Sequence, residues 1–314
     1  MNKNILKSLM FILGLIILLT ITSYIFIPKS NGKNSGIHEQ DMHGILGEKK
    51  NTIDIFVIGD SESYTSVIPL VLYNKFGFTS YNLGTSDQRM YDTYEYLNLA
   101  LKNQTPKVVV LETNIIFSGI PKNDLLNNSI EKVFKIFKYH DRWKHLKLSD
   151  LNYPNYKWRD VDKNYPFTTQ QLDPEYIYDY MLESNEMEKI AVFNLLYLNA
   201  IKEVCEKNNI ELILMSAPSI LNWNYKKHNR ILEYANKNNL KFIDFNIKNK
   251  TGIDWKKDTR DHGDHLNYYG SLKVTKNLGI YLNSLNILTD HRGDEKFSSW
   301  DKDYQEFKRS IKEN

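Results

Sequence analysis

The strongest constraint on this chain is a recurring alternation. Short apolar runs close on glycine, amide or hydroxyl residues, and each is followed by a stretch of helical periodicity. Runs at 53–58, 78–83, 107–112, 211–215 and 241–244 read as strands, with helices expected over 65–76, 88–103, 128–139, 186–208, 224–238 and 267–284. Strands alternating with helices in this way imply parallel pairing through right-handed crossovers, an α/β fold. No internal repeat is evident.

In an open parallel sheet, ligands bind outside the carboxyl ends of the strands. The first apolar run ends in Gly59-Asp60-Ser61, the second in Tyr81-Asn82-Leu83-Gly84, and the third in Glu112-Thr113-Asn114. Gly-Asp-Ser is also ordinary turn and capping chemistry, so Ser61 alone says little. Its convergence with Gly84 and Asn114 at one edge says more. Ser61 would be a nucleophile, and the N–H groups of Ser61 and Gly84 with the Asn114 amide would face a developing oxyanion. Far downstream, Asp261-His262-Gly263-Asp264-His265 precedes a helical stretch and offers His265 as general base. Ser63 is the next candidate nucleophile.

Serine, glycine, asparagine and histidine in this order, at Ser61, Gly84, Asn114 and His265, resemble the SGNH (GDSL-like) hydrolase superfamily. Gly59-Asp60-Ser61, the 81–88 block, the 106–112 strand and His265-Leu266-Asn267-Tyr268-Tyr269-Gly270 more closely resemble a membrane-anchored branch of Gram-positive bacteria. That branch is related to DltD and AlgJ/AlgX-like proteins, which modify cell-surface polymers. The resemblance spans roughly 52–285 and is poor between 115 and 185. It implies a three-layer, doubly wound parallel sheet of flavodoxin-like strand order. It also implies acyl chemistry on a cell-envelope glycopolymer, beside a multi-spanning membrane O-acyltransferase.

The superfamily carries an aspartate three residues before its histidine, whereas this chain has His262 there. Asp261, four residues before His265, is the favoured orienting carboxylate. The adjacent Asp264 is the other candidate, and a Ser61–His265 dyad oriented by a backbone carbonyl is a third arrangement. Asp254, Asp258, Asp261, His262, Asp264 and His265 could also be read as metal ligands. No second ligand pair of defined spacing and no His-Glu-x-x-His pattern supports that, so neither metal nor cofactor is expected.

From 9 to 27 the chain is almost wholly apolar, enough to cross a hydrocarbon core of about 30 Å. Lys3 and Lys7 precede the stretch and Lys29 and Lys33 follow it. No small-x-small cleavage pattern surrounds Ser23-Tyr24-Ile25-Phe26-Ile27-Pro28, which favours retention over a cleaved signal. Residues 1–28 are therefore expected to anchor the protein, with 29–50, including Lys33 and Asn34, as a tether. The rest, about 260 residues, suits one α/β domain over 51–287. A formal net charge of +3 leaves no basic stripe for nucleic acid.

Between 140 and 185 the order breaks into Trp143, Tyr153, Tyr156, Trp158-Arg159 and Tyr165-Pro166-Phe167, read either as a sugar-stacking lid or as a packed satellite. Cys205, the single cysteine, reads as a packed helix residue. In the charged tail, 288–314, Trp300, Tyr304 and Phe307 share one helical face that packs back on the domain or meets a partner. The expected function is an extracytoplasmic O-acyltransferase or esterase forming a serine acyl-enzyme. The alternative is a non-catalytic binding or assembly protein of the same fold, partnering a membrane acyltransferase.

Overall fold

The computed structural model describes residues 3–32, 35–37, 39–119, 122–151, 156–158 and 163–313. Lys33 and Asn34 of the expected tether, and Tyr153 and Arg159 of the insert, lie outside the described residues. In chain order the helices are α1 (Lys3–Phe26), α2 (Ser61–Ser66), α3 (Pro69–Phe76), α4 (Met90–Ala100), α5 (Lys122–Val133), α6 (Lys135–Lys138), α7 (Val192–Lys207), α8 (Tyr225–Asn238), α9 (Tyr268–Ser284) and α10 (Ser298–Glu313). The strands are β1 (Ile55–Ile58), β2 (Ser80–Asn82), β3 (Val108–Glu112), β4 (Glu211–Ser216) and β5 (Lys241–Asp244). The chain divides into two bodies, 1–47 with 120–159, and 48–119 with 160–314.

The larger body is built on a five-stranded parallel sheet of order β2-β1-β3-β4-β5. Right-handed crossovers put helices of leftward and rightward moves on opposite faces. Accordingly α3 packs on α9, and α4 packs on α7. Side chains alternate across a strand, so Ile55, Val57, Val108, Val110, Ile213 and Met215 share one face with Leu72, Val274, Leu278 and Leu282. Phe56, Ile58, Val109, Leu111, Leu212 and Leu214 are also buried, which is why these strands read as unbroken apolar runs. This is the expected fold class. Strand order reverses between β1 and β3, and there the carboxyl ends open a crevice.

The helix expected over 65–76 is broken at Val67 and Ile68, both extended, with Pro69 opening α3. A residue before proline is pushed out of the helical region, and proline suits the first helical turn. Thr275 Oγ1 accepts from Ile68 N at 2.9 Å and Asn82 Nδ2 donates to Val67 O at 3.0 Å, so the break strands neither group. The tail is part of the core of this body. Trp300 and Phe307 of α10 are buried, Trp300 against Tyr73 and Phe307 against Tyr165, Phe167 and Tyr268.

In the smaller body, α1 has 24 residues and a mean hydropathy of 2.5 over its most apolar window. At 1.5 Å per residue it is about 36 Å long, enough for a membrane span, and a signal sequence has the same character. The stretch expected as a tether contains a 3-10 turn, Met42–Gly47, with Met42 and Ile45 fully buried. Trp158 stacks on both Tyr156 and His43. The expected insert is thus divided between bodies: Trp143, Tyr156 and Trp158 belong to the smaller, and Tyr165, which is buried, and Phe167, which is half-buried, belong to the larger.

Candidate active site

Ser61 follows β1 by a two-residue turn and opens α2. Asp60 caps that helix, its Oδ1 accepting from Glu62 N at 3.1 Å. Gly-Asp-Ser therefore does the ordinary capping work, and the cap holds Ser61 at the mouth of the crevice. Ser61 Oγ lies 2.8 Å from His265 Nε2, across 204 positions of sequence.

His265 sits in the loop before α9. His262 and Gly263 take φ of 64° and 96°, and a Cβ on Gly263 would stand 2.2 Å from Ile220 Cγ2, so only glycine fits there. The turn folds Asp261 back onto His265: Oδ1 accepts its backbone N–H at 2.6 Å and Oδ2 meets Nδ1 at 2.6 Å. With Nδ1–H directed to Asp261, neutral His265 presents Nε2 as acceptor for the serine proton. Burial alone would raise the Asp261 carboxyl, but the hydrogen bonds from His265 ring and backbone hold it below its ordinary value. Asp264 Oδ2 is farther from Nδ1, at 3.5 Å, and Asp264 Oδ1 takes a hydrogen bond from Asn222.

Residues 168–173 brace this loop. Leu172 O accepts from His262 N at 2.9 Å, Asp173 O meets His262 Nδ1 at 2.8 Å, and Asn267 Nδ2 donates to Gln170 O at 3.0 Å. Nothing local in the sequence ties the insert to the histidine.

Asn114 follows β3 and lines a pocket of about 280 Å³ with Ser61, Asn222, Asp264 and His265. Gly84 abuts the turn that follows β1. A Cβ there would stand 2.1 Å from Ser63 Oγ and 2.6 Å from Asp60 O, so the β1 turn seats against a bare backbone. Asn164 Nδ2 donates to Gly84 O at 2.8 Å and fixes that peptide. Ser63 itself is fully buried and donates to Asp60 O at 2.6 Å, so it has no access to the pocket.

Four further side chains shape the site. Lys227 Nζ donates to Asn114 Oδ1 at 3.0 Å and to Asn222 O at 2.5 Å. Asn222 Nδ2 in turn donates to Glu62 Oε1 at 2.8 Å and to Asp264. Glu112 accepts from Asn114 N at 2.9 Å and Ala217 N at 3.3 Å. Burial raises Glu62 and Glu112 well above ordinary carboxyls, raises Asp60 to about 6, and lowers Lys227. The only sequence signal for the two carboxyls is position: Glu62 adjoins the nucleophile candidate and Glu112 ends a strand.

Glu62, Asp264 and His265 place ligand-type atoms within 4.8 Å of one another. Both ring nitrogens of His265 are engaged by Asp261 and Ser61, and Asn222 joins the two carboxyls. Elsewhere in the suspected metal cluster, Lys273 pairs with Asp258, and His262 is held at Asp173 O. The donor set reads as a hydrogen-bond relay. Cys205 is away from it, its thiol pushed up to about 12 by burial.

No family model matches the sequence, and no curated protein does. Among solved structures, the chain is similar to a GDSL-like lipase from Bacteroides thetaiotaomicron at 14% identity, covering 73% of this chain and 88% of that one with a TM-score of 0.36. It is also similar to an acetyl xylan esterase at 17% identity, covering 75% and 100% with a TM-score of 0.39.

Proposed function

We propose that this chain is a serine-dependent O-acyltransferase or esterase, held by α1 on the outer face of a membrane. Its substrate would be an acetyl or D-alanyl ester on a cell-envelope polysaccharide or teichoic acid. The observation that carries the chemistry is the continuous relay Asp261–His265–Ser61 at the β1/β3 crevice. The envelope setting is supported by the apolar length of α1 and by the sequence blocks around Ser61, Gly84 and His265.

Ser61 Oγ attacks the acyl carbonyl while its proton passes to His265 Nε2. The ester C–O bond then breaks, and the departing oxygen takes that proton. A sugar hydroxyl or water next gives its proton to His265 and attacks the acyl-enzyme, and Ser61 recovers the proton as it leaves. Charge on the tetrahedral oxygen is met by the N–H groups of Ser61 and Gly84 and by Asn114 Nδ2. A multi-spanning membrane O-acyltransferase is the partner that would deliver acyl groups across the bilayer. The test is labelling of the full chain by a fluorophosphonate: Ser61→Ala should abolish it, and retained labelling would reject Ser61 as the nucleophile.

A further inference from the structure

The last turn of α1 is closed by cations. Lys29 Nζ donates to Ile25 O at 3.2 Å and Tyr24 O at 3.4 Å, and Arg142 Nη1 donates to Phe26 O at 2.5 Å. Basic groups at a helix carboxyl end complement its dipole, and Asp150 partners both of them, so capping accounts for Lys29 and Arg142. It does not account for what stands beside them. Lys147 and Lys157 line the same pocket of about 300 Å³, both exposed and with no side-chain partner among the described residues. Ser35 also lines it, only 4% exposed, with an Oγ that meets no hydrogen-bond partner.

Among the described residues that line it, four lysine and arginine side chains against one aspartate give this concavity a net charge of +3 with histidine neutral, as much as the entire chain carries. Its place is fixed by the hydrogen bonds to the last carbonyls of α1. When α1 spans a bilayer, the pocket lies at the headgroup level just outside the hydrocarbon. A phosphodiester there has three features to meet: one negative charge, oxygens that only accept, and attachment to the acyl chains that surround α1. The unpaired lysines supply the complementary donors.

We infer that the pocket between Ser35, Arg142, Lys147 and Lys157 binds the phosphate-bearing headgroup of an anionic membrane lipid. Such a lipid would pin the foot of α1 to the segments of the smaller body that carry Arg142, Lys147 and Lys157. The inference rests on the anchored reading of α1 and is independent of the chemistry at Ser61.

The test is native mass spectrometry of the full chain in neutral detergent, titrated with phosphatidylglycerol or with phosphatidylcholine. Phosphatidylglycerol adducts should dominate, and Lys147→Gln/Lys157→Gln should weaken them by about tenfold or more, the size expected for two cations lost at a membrane surface. Neither lysine is needed for packing, so circular dichroism should be unchanged. Lys144→Gln/Lys308→Gln removes equal charge outside the pocket and should leave the adducts intact. Equal losses from both pairs would overturn the inference in favour of diffuse attraction. Binding of free glycerol phosphate as tight as that of the lipid would overturn the lipid assignment. Intact protein without adducts sinks the pocket alone, whereas a mass lacking the apolar segment sinks the anchored reading with it.

Discussion

Lys227 Nζ stands 3.0 Å from Asn114 Oδ1, and this contact decides which end of the amide faces the pocket. An ammonium has only donors to offer, so the atom it meets is the oxygen. Asn114 Nδ2 is left without a protein partner among the described residues, beside Ser61 and His265. A cation against Oδ1 also polarises the amide and strengthens the N–H bonds on the other side.

Lys227→Met should therefore lower kcat about 10- to 100-fold on an acetyl ester with little change in KM, somewhat less than the 10²–10³ of deleting an oxyanion donor. In an Asn114→Ala background the same change should add almost nothing. Additive losses would mean that Lys227 acts by another route.

The two aspartates of the histidine loop should separate cleanly. Asp261→Asn keeps the shape but loses the carboxylate that selects the tautomer, and a fall of about 10⁴ in kcat is expected, as for an orienting aspartate in a serine protease. Asp264→Asn, whose partner is chiefly Asn222, should cost far less. Equal, small losses measured beside His265→Ala would reduce the relay to a dyad.

Asp60 should make stability fall as pH rises. Its folded carboxyl is raised to about 6 by burial, above its unfolded value of about 4, so the folded state binds more proton between those values. Stability is fullest below about 4, declines to about 6 and stays lower above, by an upper figure of about 3 kcal/mol. Asp261, held low by His265, acts oppositely and loses its contribution as pH falls below the ordinary carboxylate value. Asp60→Asn keeps a capping oxygen. In denaturant titrations from acid to neutral pH it should flatten the slope between about 4 and 6 and stabilise the neutral form.

Trp300→Ala should destabilise the protein by about 3–5 kcal/mol, the cost of emptying a large aromatic site. The indole is 1% exposed, 5.4 Å from the Tyr73 ring and under Lys163 Nζ at 4.7 Å. Thermal melting of the full chain reads this, and an unchanged midpoint would make α10 a dispensable tail.

What the sequence disclosed was set by the range of each signal. The strands stand near their expected places because both faces are buried, which writes each as an apolar run. Ser61, Gly84 and Asn114 could be proposed together because strand ends in a parallel sheet share an edge, and His265 came from the histidine- and aspartate-rich segment before the last core helix. Lys227 and Asn222 were invisible: they reach Asn114 and Glu62 across 113 and 160 positions, and no spacing rule connects a lysine in a helix to an amide after a strand. The break before Pro69 was written in the proline, but continuing apolar periodicity masked it. Tyr165 and Phe167 read equally as lid or as packed satellite because their partner Phe307 lies far away at the other end of the chain.

Asp261 grips both the backbone N–H and the ring of one residue, so orienter and base form a five-residue cassette closed on itself. Nothing in that closure passes through the serine turn. A breathing motion between the cassette and α2 would stretch the 2.8 Å span from Nε2 to Oγ while the imidazole kept its tautomer. Such an enzyme would be switched off by distance and come back into register ready to accept a proton, with no reorientation of the ring between turnovers.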